Sequence, residues 1–165
     1  MVSGVRRVLR HLLLPPWRLR RVLPPASLQA IEAAISASES RHRGQICFAV
    51  ESALDPSALL RGLGAGERAL QVFAELGVWD TEDNSGVLIY VLLADHDVEI
   101  VADRGIAARV DPARWEAICA GMERTFAAGD FGPGALAAIA AVGELLREHY
   151  PGAGPNTVAD APVVL

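Results

Sequence analysis

Oxygen-bearing side chains crowd one short loop of this chain. Asp80, Glu82, Asp83 and Asn84 stand in the run Trp79-Asp80-Thr81-Glu82-Asp83-Asn84-Ser85-Gly86. Carboxylates and amides are the donors that hard cations such as calcium and magnesium take. A further carboxylate, Asp103, and the guanidinium of Arg104 lie one strand, a turn and a second strand later. If those strands fold back on each other, Asp103 returns to the end of the sheet where Asp80, Asp83 and Asn84 sit. The candidate metal ligands are therefore Asp80, Asp83, Asn84 and Asp103, with Glu82 in reserve. A cation held there could polarise a phosphoryl oxygen or hold a nucleophilic water, with Arg104 on the phosphate. Asp80, Asp103 and Arg104 would then be the catalytic candidates of a metal-assisted phosphomonoester hydrolase. The structural alternative has Asp80, Asp83 and Asn84 bonding their own loop backbone while Asp103 pairs with Arg104 or Arg109. The order of an EF-hand is absent, so the site would be open and weak.

The elements that must position these residues are legible from patterning. Val87 to Ala94 is a continuous apolar run, rich in branched residues and far too short to span a membrane, which predicts a buried central strand. Asp95-His96-Asp97 is a turn, read as solvated, and Val98 to Asp103 alternates as a second strand, so the two form an antiparallel hairpin. Centring the turn at Asp95 and His96 puts Ala94 opposite Asp97 and Asp103 opposite Leu88. Upstream, Gln45 to Glu51 reads as the first strand, with Ile46, Phe48 and Val50 on one face. Glu67 to Leu76 reads as a helix between that strand and the next, a βαβ unit with its strands parallel. Helices are also expected over 26–42, from Asp111-Pro112 to Gly129, and from Pro133 to Pro151. The stretch 55–66, with Gly62, Gly64 and Gly66, reads as loop and lacks the order of a phosphate-binding loop. The fold class is an α/β/α sandwich, three layers around a small mixed sheet of three to four strands.

All fifteen basic residues among the 165 are arginine, and the net charge of −5 hides an asymmetry. Residues 1–25 carry six arginines and no acid; the remaining nine arginines face all twenty Asp and Glu, a net −11. An acidic body excludes nonspecific nucleic-acid binding, which rests on neutralising phosphates. The chain divides into a basic arm over 1–25, an α/β/α domain over 26–151 and a flexible Pro/Gly-rich tail over 152–165. Residues 4–14 predict a short helix with Val5, Val8, Leu9, Leu12 and Leu13 on one side and Arg6, Arg7 and Arg10 mostly on the other. That stripe is expected to pack on the domain or a partner protein, with weak contact of the 1–24 arm to a membrane surface as the other reading. Pro15-Pro16 and Pro24-Pro25 break the arm, and its removal is expected to leave the domain folded. Cys47 and Cys119 have no metal-ligand spacing and read as small buried hydrophobes; Trp17, Trp79 and Trp115 read as packing anchors. Nothing reads as an export signal or a membrane span, so the expected location is cytoplasmic.

Two segments resemble a known family. Trp79-Asp80 with Asn84-x-Gly86-Val87-Leu88, the apolar strand, and Asp95-x-Asp97 leading into Ile100-Val101 resemble the TPM domain. Phe126-x-x-Gly129-Asp130-Phe131-x-x-Gly134 resembles that family's FxxGDYxxG segment. The resemblance spans about residues 28–150. It implies an α/β/α sandwich, divalent-cation binding as in some members, and weak acid-phosphatase activity as in a few. Many members carry an export signal and a membrane helix, which this sequence does not show, and a glycine-rich segment where this one has Asp103-Arg104-Gly105-Ile106. The expected function is a non-catalytic TPM-like domain that binds a divalent cation, calcium or magnesium, and engages a protein partner. The alternative is the phosphomonoester hydrolase.

Overall fold

Two seven-residue strands without one exposed side chain set the architecture. They are β1 (Gln45–Glu51) and β2 (Gly86–Leu92). A strand buried on both faces reads as a continuous apolar run, and both do. The computed structural model describes residues 2–15 and 17–165; Met1 and Pro16, the second proline of the predicted break, lie outside them. Around the strands are α1 (Val2–Leu13), α2 (Trp17–Val22), α3 (Pro25–Glu39), α4 (Pro56–Leu60) and α5 (Ala65–Glu75). After β2 follow β3 (Asp97–Ala102), α6 (Arg104–Ala107), α7 (Pro112–Ala127), α8 (Phe131–His149) and β4 (Val163–Val164).

The sheet order is β3-β2-β1-β4, with β1 parallel to both β2 and β4 and β2 antiparallel to β3. Alternation along the strands feeds two cores. Ile46, Phe48, Val50, Val87, Ile89 and Val91 face α3, α7 and α8, where Ile31, Ile35, Met122, Ile139 and Leu146 close the layer. Cys47, Ala49, Leu88, Tyr90 and Leu92 face the other way, against Leu59 of α4 and Ala69 and Val72 of α5. The α/β/α sandwich around a mixed sheet is thus the observed fold.

The structure corrects the hairpin register by two residues. Leu92 pairs with Asp97 and Val87 with Ala102, so Asp103 stands opposite Gly86 and donates its N–H to Gly86 O at 2.8 Å. The turn is longer than two residues because Leu93 and Ala94 donate to Glu51 O and Ser52 O instead of pairing with β3. His96 closes it at φ +56°. A slip of two preserves which face each side chain takes. Asp103 therefore keeps its face but lies nearer the sheet end than expected, opposite Gly86 and not Leu88.

Three short elements were not legible. Asp55 accepts from Ser57 N–H at 2.8 Å, with Pro56 at the first helical position, and this starts α4 inside the stretch read as loop. Leu19 and Leu23, from the arm, are buried in the same core as the residues of α3, so part of the arm packs into the domain. The segment expected as a flexible tail runs along β1 instead. Gln45 Oε1 accepts from Thr157 N–H at 2.8 Å and Val158 N–H at 3.0 Å, and Val163–Val164 pairs with Ala49 and Val50.

Candidate functional site at the acidic end of the sheet

Asp103 ends β3 and caps α6, its Oδ1 accepting from Arg104 N–H at 2.7 Å. Its second oxygen, Oδ2, is buried with no hydrogen-bond partner among the described residues. The loop before β2 lies at the same end of the sheet. That loop is a series of tight turns: Asp80 N–H donates to Gly77 O, Asn84 N–H to Thr81 O, and Ser85 N–H to Thr81 Oγ1 at 2.9 Å. Asn84 takes φ +51°, a conformation that Asn tolerates better than most residues. Its carbonyl accepts from both Gly105 N–H at 3.0 Å and Ile106 N–H at 3.2 Å, which ties the loop to α6. A Cβ at Gly105 would overlap the carbonyl oxygens of Asp83 and Asn84, so only glycine permits this approach. Gly86 serves the same purpose at the start of β2, where a Cβ would run into Val78 O.

The predicted residues are only partly brought together. Arg104 Nε donates to Asn84 Oδ1 at 3.1 Å, and Arg43 Nε donates to Asp83 Oδ2 at 2.9 Å. Asp83, Asn84, Asp103 and Arg104 therefore share one end of the sheet. Asp80 and Glu82 are exposed and bond to none of them. Asp103 pairs with neither Arg104 nor Arg109 through its carboxylate, and Arg109 stacks instead over the Tyr150 ring at 4.7 Å. Among the described residues no three His, Cys, Asp or Glu side chains stand close enough to hold a metal together. The donors present are two carboxylates, one amide and the loop carbonyls, with a buried oxygen of Asp103 unmet. Oxygen donors of this kind are those a hard cation takes, and here Arg43 and Arg104 occupy Asp83 and Asn84.

The opposite end of the sheet holds what sequence reasoning missed. Asp95, expected as a solvated turn residue, is a hub with a side chain only 10 % exposed. Arg7, Arg10 and His11 reach it at 2.8, 2.9 and 3.0 Å. His11 is oriented from both sides: Nδ1 accepts from Leu54 N–H at 2.9 Å, so Nε2 carries the proton donated to Asp95. Burial raises the Asp95 carboxyl, but the hydrogen bonds and charges of Arg7 and His11 outweigh it and hold Asp95 below the usual carboxylate range. The spacing of Arg7, Arg10 and His11 already placed them on one helix face; the partner 84 residues away from His11 had no local signal. Nearby, Glu51 Oε2 accepts from Tyr90 O–H at 2.6 Å and Arg68 Nε at 2.9 Å, a buried polar knot under α5. Burial raises the Tyr90 phenol, reinforced by Glu51.

Other reactive types are sequestered. Ser38 and His42 lie 2.9 Å apart, one helical turn from each other, resembling a nucleophile and its base. His42 Nδ1–H donates to Gly44 O at 3.1 Å, so Ser38 O–H donates to Nε2. Burial keeps this imidazole's pKa low, and both residues are enclosed beneath Gly143 of α8. Burial likewise pushes the thiols of Cys47 and Cys119 up to about 11, far from a reactive thiolate. Trp17 and Trp79, expected as packing anchors, are 59 % and 54 % exposed; only Trp115 packs against the core.

The fold and the loop before β2 define the class. The TPM domain model matches residues 19–145, and the chain belongs to that family. Among solved structures, the BA42 protein of the psychrophilic bacterium Bizionia argentinensis superposes with a TM-score of 0.76 at 25 % identity, covering 87 % of this chain and 95 % of that one. The N-terminal domain of a P. gingivalis protein superposes with a TM-score of 0.61 at 20 % identity, over 78 % of this chain and 81 % of that one. No curated protein matches the chain. Among the described residues no helix is long and apolar enough to cross a membrane.

Proposed function

We propose that this TPM domain is a non-catalytic module that holds a divalent cation weakly at the acidic end of its sheet and presents the surrounding surface to a protein partner. The observation that carries the cation is Asp103 Oδ2, a buried carboxylate oxygen without a partner among the described residues, at the sheet end that Asp83 and Asn84 share. An unmet buried acceptor is costly, and a cation would meet it. The partner surface is supported by Trp79, 54 % exposed beside the exposed carboxylates of Asp80 and Glu82. Exposed tryptophans are favoured anchors of interfaces. Against a hydrolase with a side-chain nucleophile, the loop's hydroxyls, Thr81 and Ser85, bond to no histidine or carboxylate among the described residues, so neither is activated.

Thermal denaturation with millimolar calcium or magnesium tests this reading. A ligand at tenfold its Kd stabilises by roughly 1.4 kcal/mol. Asp103→Asn retains the cap on α6 and removes the charge, so it should abolish that gain, whereas Asp95→Asn should leave it intact. An unchanged melting temperature of the native chain removes the cation from the proposal. Hydrolysis of an aromatic phosphate ester that is lost in Asp103→Asn would reinstate the enzyme.

A further inference from the structure

Helix α1 is docked with its polar side inward. At 3.6 residues per turn, Val5, Leu9, Leu12 and Leu13 cluster within about 100° of arc, and Arg7 and His11 lie on the opposite side. The inner side is the one Asp95 and Leu54 N–H engage. Val8 packs against the core, but the rest of the apolar stripe faces out: Val5 is 61 % exposed, Leu9 49 %, Leu12 57 % and Leu13 76 %, and Trp17 at the start of α2 is exposed as well. The stripe thus does not cover the domain, one of the two packings expected from the sequence, the other being a partner protein. These five side chains expose on the order of 500 Å² of apolar surface, toward the upper end of the largest patch a monomer leaves bare, a size that often marks a functional surface.

What surrounds the stripe identifies its occupant. Arg6, Arg18, Arg20 and Arg21 are exposed and enter no ion pair among the described residues. No acid occurs in residues 1–25, while the rest of the chain carries a net −11. A second copy is the wrong partner, because pairing the patch with itself would oppose one set of arginines to another. An anionic bilayer meets both demands, since acyl chains accept the stripe and headgroup phosphates accept the guanidinium groups. A tryptophan at the margin of such a stripe is suited to the headgroup level. We propose that α1 and the start of α2 form an interfacial segment that lies on an anionic lipid surface, locked apolar side outward by the Asp95 clamp. The acidic body, repelled by the same surface, would be held away from it, which orients the domain. The proposal is independent of the cation site.

Co-sedimentation of the full chain with vesicles of mixed phosphatidylcholine and phosphatidylglycerol tests it. The expected result is binding that falls with added salt and is absent on pure phosphatidylcholine. Trp emission should shift to the blue on binding, and the shift should vanish in Trp17→Phe. Leu12→Ser with Leu13→Ser, both exposed, should weaken partitioning about tenfold or more without changing the melting temperature. Arg20→Ala with Arg21→Ala should weaken it by a similar factor. Absence of binding, equal binding to neutral vesicles, or indifference to both double variants overturns the proposal. So does a dimer that becomes monomeric in Leu12→Ser with Leu13→Ser and ignores vesicles, which would give the face to a second copy.

Discussion

Replacing Glu39 by Gln should make the protein more stable at neutral pH and remove most of the decline in its stability above pH 5. Glu39 ends α3 and is buried, with Oε1 accepting from Ile46 N–H at 2.7 Å. Its other oxygen has no donor, and the carboxylate of Asp160 faces it. Burial, with Asp160 adding to it, pushes the Glu39 carboxyl up to about 8 from its ordinary 4.5. The folded pKa is raised, so the folded state prefers the neutral acid. Below the unfolded pKa both states are protonated and the group is without cost. From there to the folded pKa the unfolded chain releases a proton that the folded one keeps, and stability falls by about 1.4 kcal/mol per pH unit. By pH 7 the loss is roughly 3 kcal/mol, and above the folded pKa it levels near 5. Gln keeps the bond from Ile46 N–H and turns an unmet oxygen into an amide that can donate to Asp160. For a chain of this size, recovering about 3 kcal/mol corresponds to about 6–12 °C in melting temperature. Scanning calorimetry from pH 4.5 to 9 on both proteins reads the effect. His42 supplies an internal control: its pKa is depressed, so its contribution is present above its unfolded value and is lost as pH falls. That acid limb should be unchanged in Glu39→Gln. Equal slopes above pH 5 in both proteins, or a less stable variant at pH 8, would refute the reasoning.

Four further outcomes follow from the geometry. Gly105→Ala should cost roughly 1–3 kcal/mol in urea titration, because its Cβ meets two backbone carbonyls, and should weaken any cation stabilisation through the displaced loop. Gly86→Val should cost at least as much, the obstacle being Val78 O and not a forbidden φ. Removing residues 1–16 should preserve a cooperative melt, whereas removing 1–24 takes Leu19 and Leu23 from the core and should lower the melting temperature sharply. Asp95→Ala should expose α1 to limited proteolysis with only a modest loss of global stability, since Arg7 and Arg10 remain partly solvated.

Local pattern carried most of the fold and only some of the site. Ile46-x-Phe48-x-Val50 and the run from Val87 predicted β1 and β2, and Asp111-Pro112 marked the start of α7, because these signals lie within a few residues of each other. The hairpin register slipped because Leu93 and Ala94 bond to Glu51 and Ser52, 42 residues upstream, and no turn rule sees that competition. The same blindness applied to Asp95, whose partners come from the far end of the chain. Density of acids drew attention to Asp80 and Glu82, yet proximity in sequence does not decide which carboxylates turn inward. Asp83 and Asn84 do so because Arg43 and Arg104 draw them. Amphipathicity was visible in α1, but which side would dock depended on a carboxylate that sequence alone left in a turn.

The strap formed by residues 157–164 also protects solubility. β1 is buried along its whole length, and its outer edge carries free backbone donors and acceptors unless something lies along it. Gln45 pins Thr157 and Val158 at one end, and Val163–Val164 zips the other. An uncovered edge of the sequence Gln45-Ile46-Cys47-Phe48-Ala49-Val50 would invite strands from neighbouring chains and nucleate aggregates. Expression boundaries drawn at the end of the family match, residue 145, would remove that cover along with the core residues Leu146 and Tyr150. A clone trimmed there should accumulate in inclusion bodies, the opened edge exposing a strand that the weakened core no longer guards.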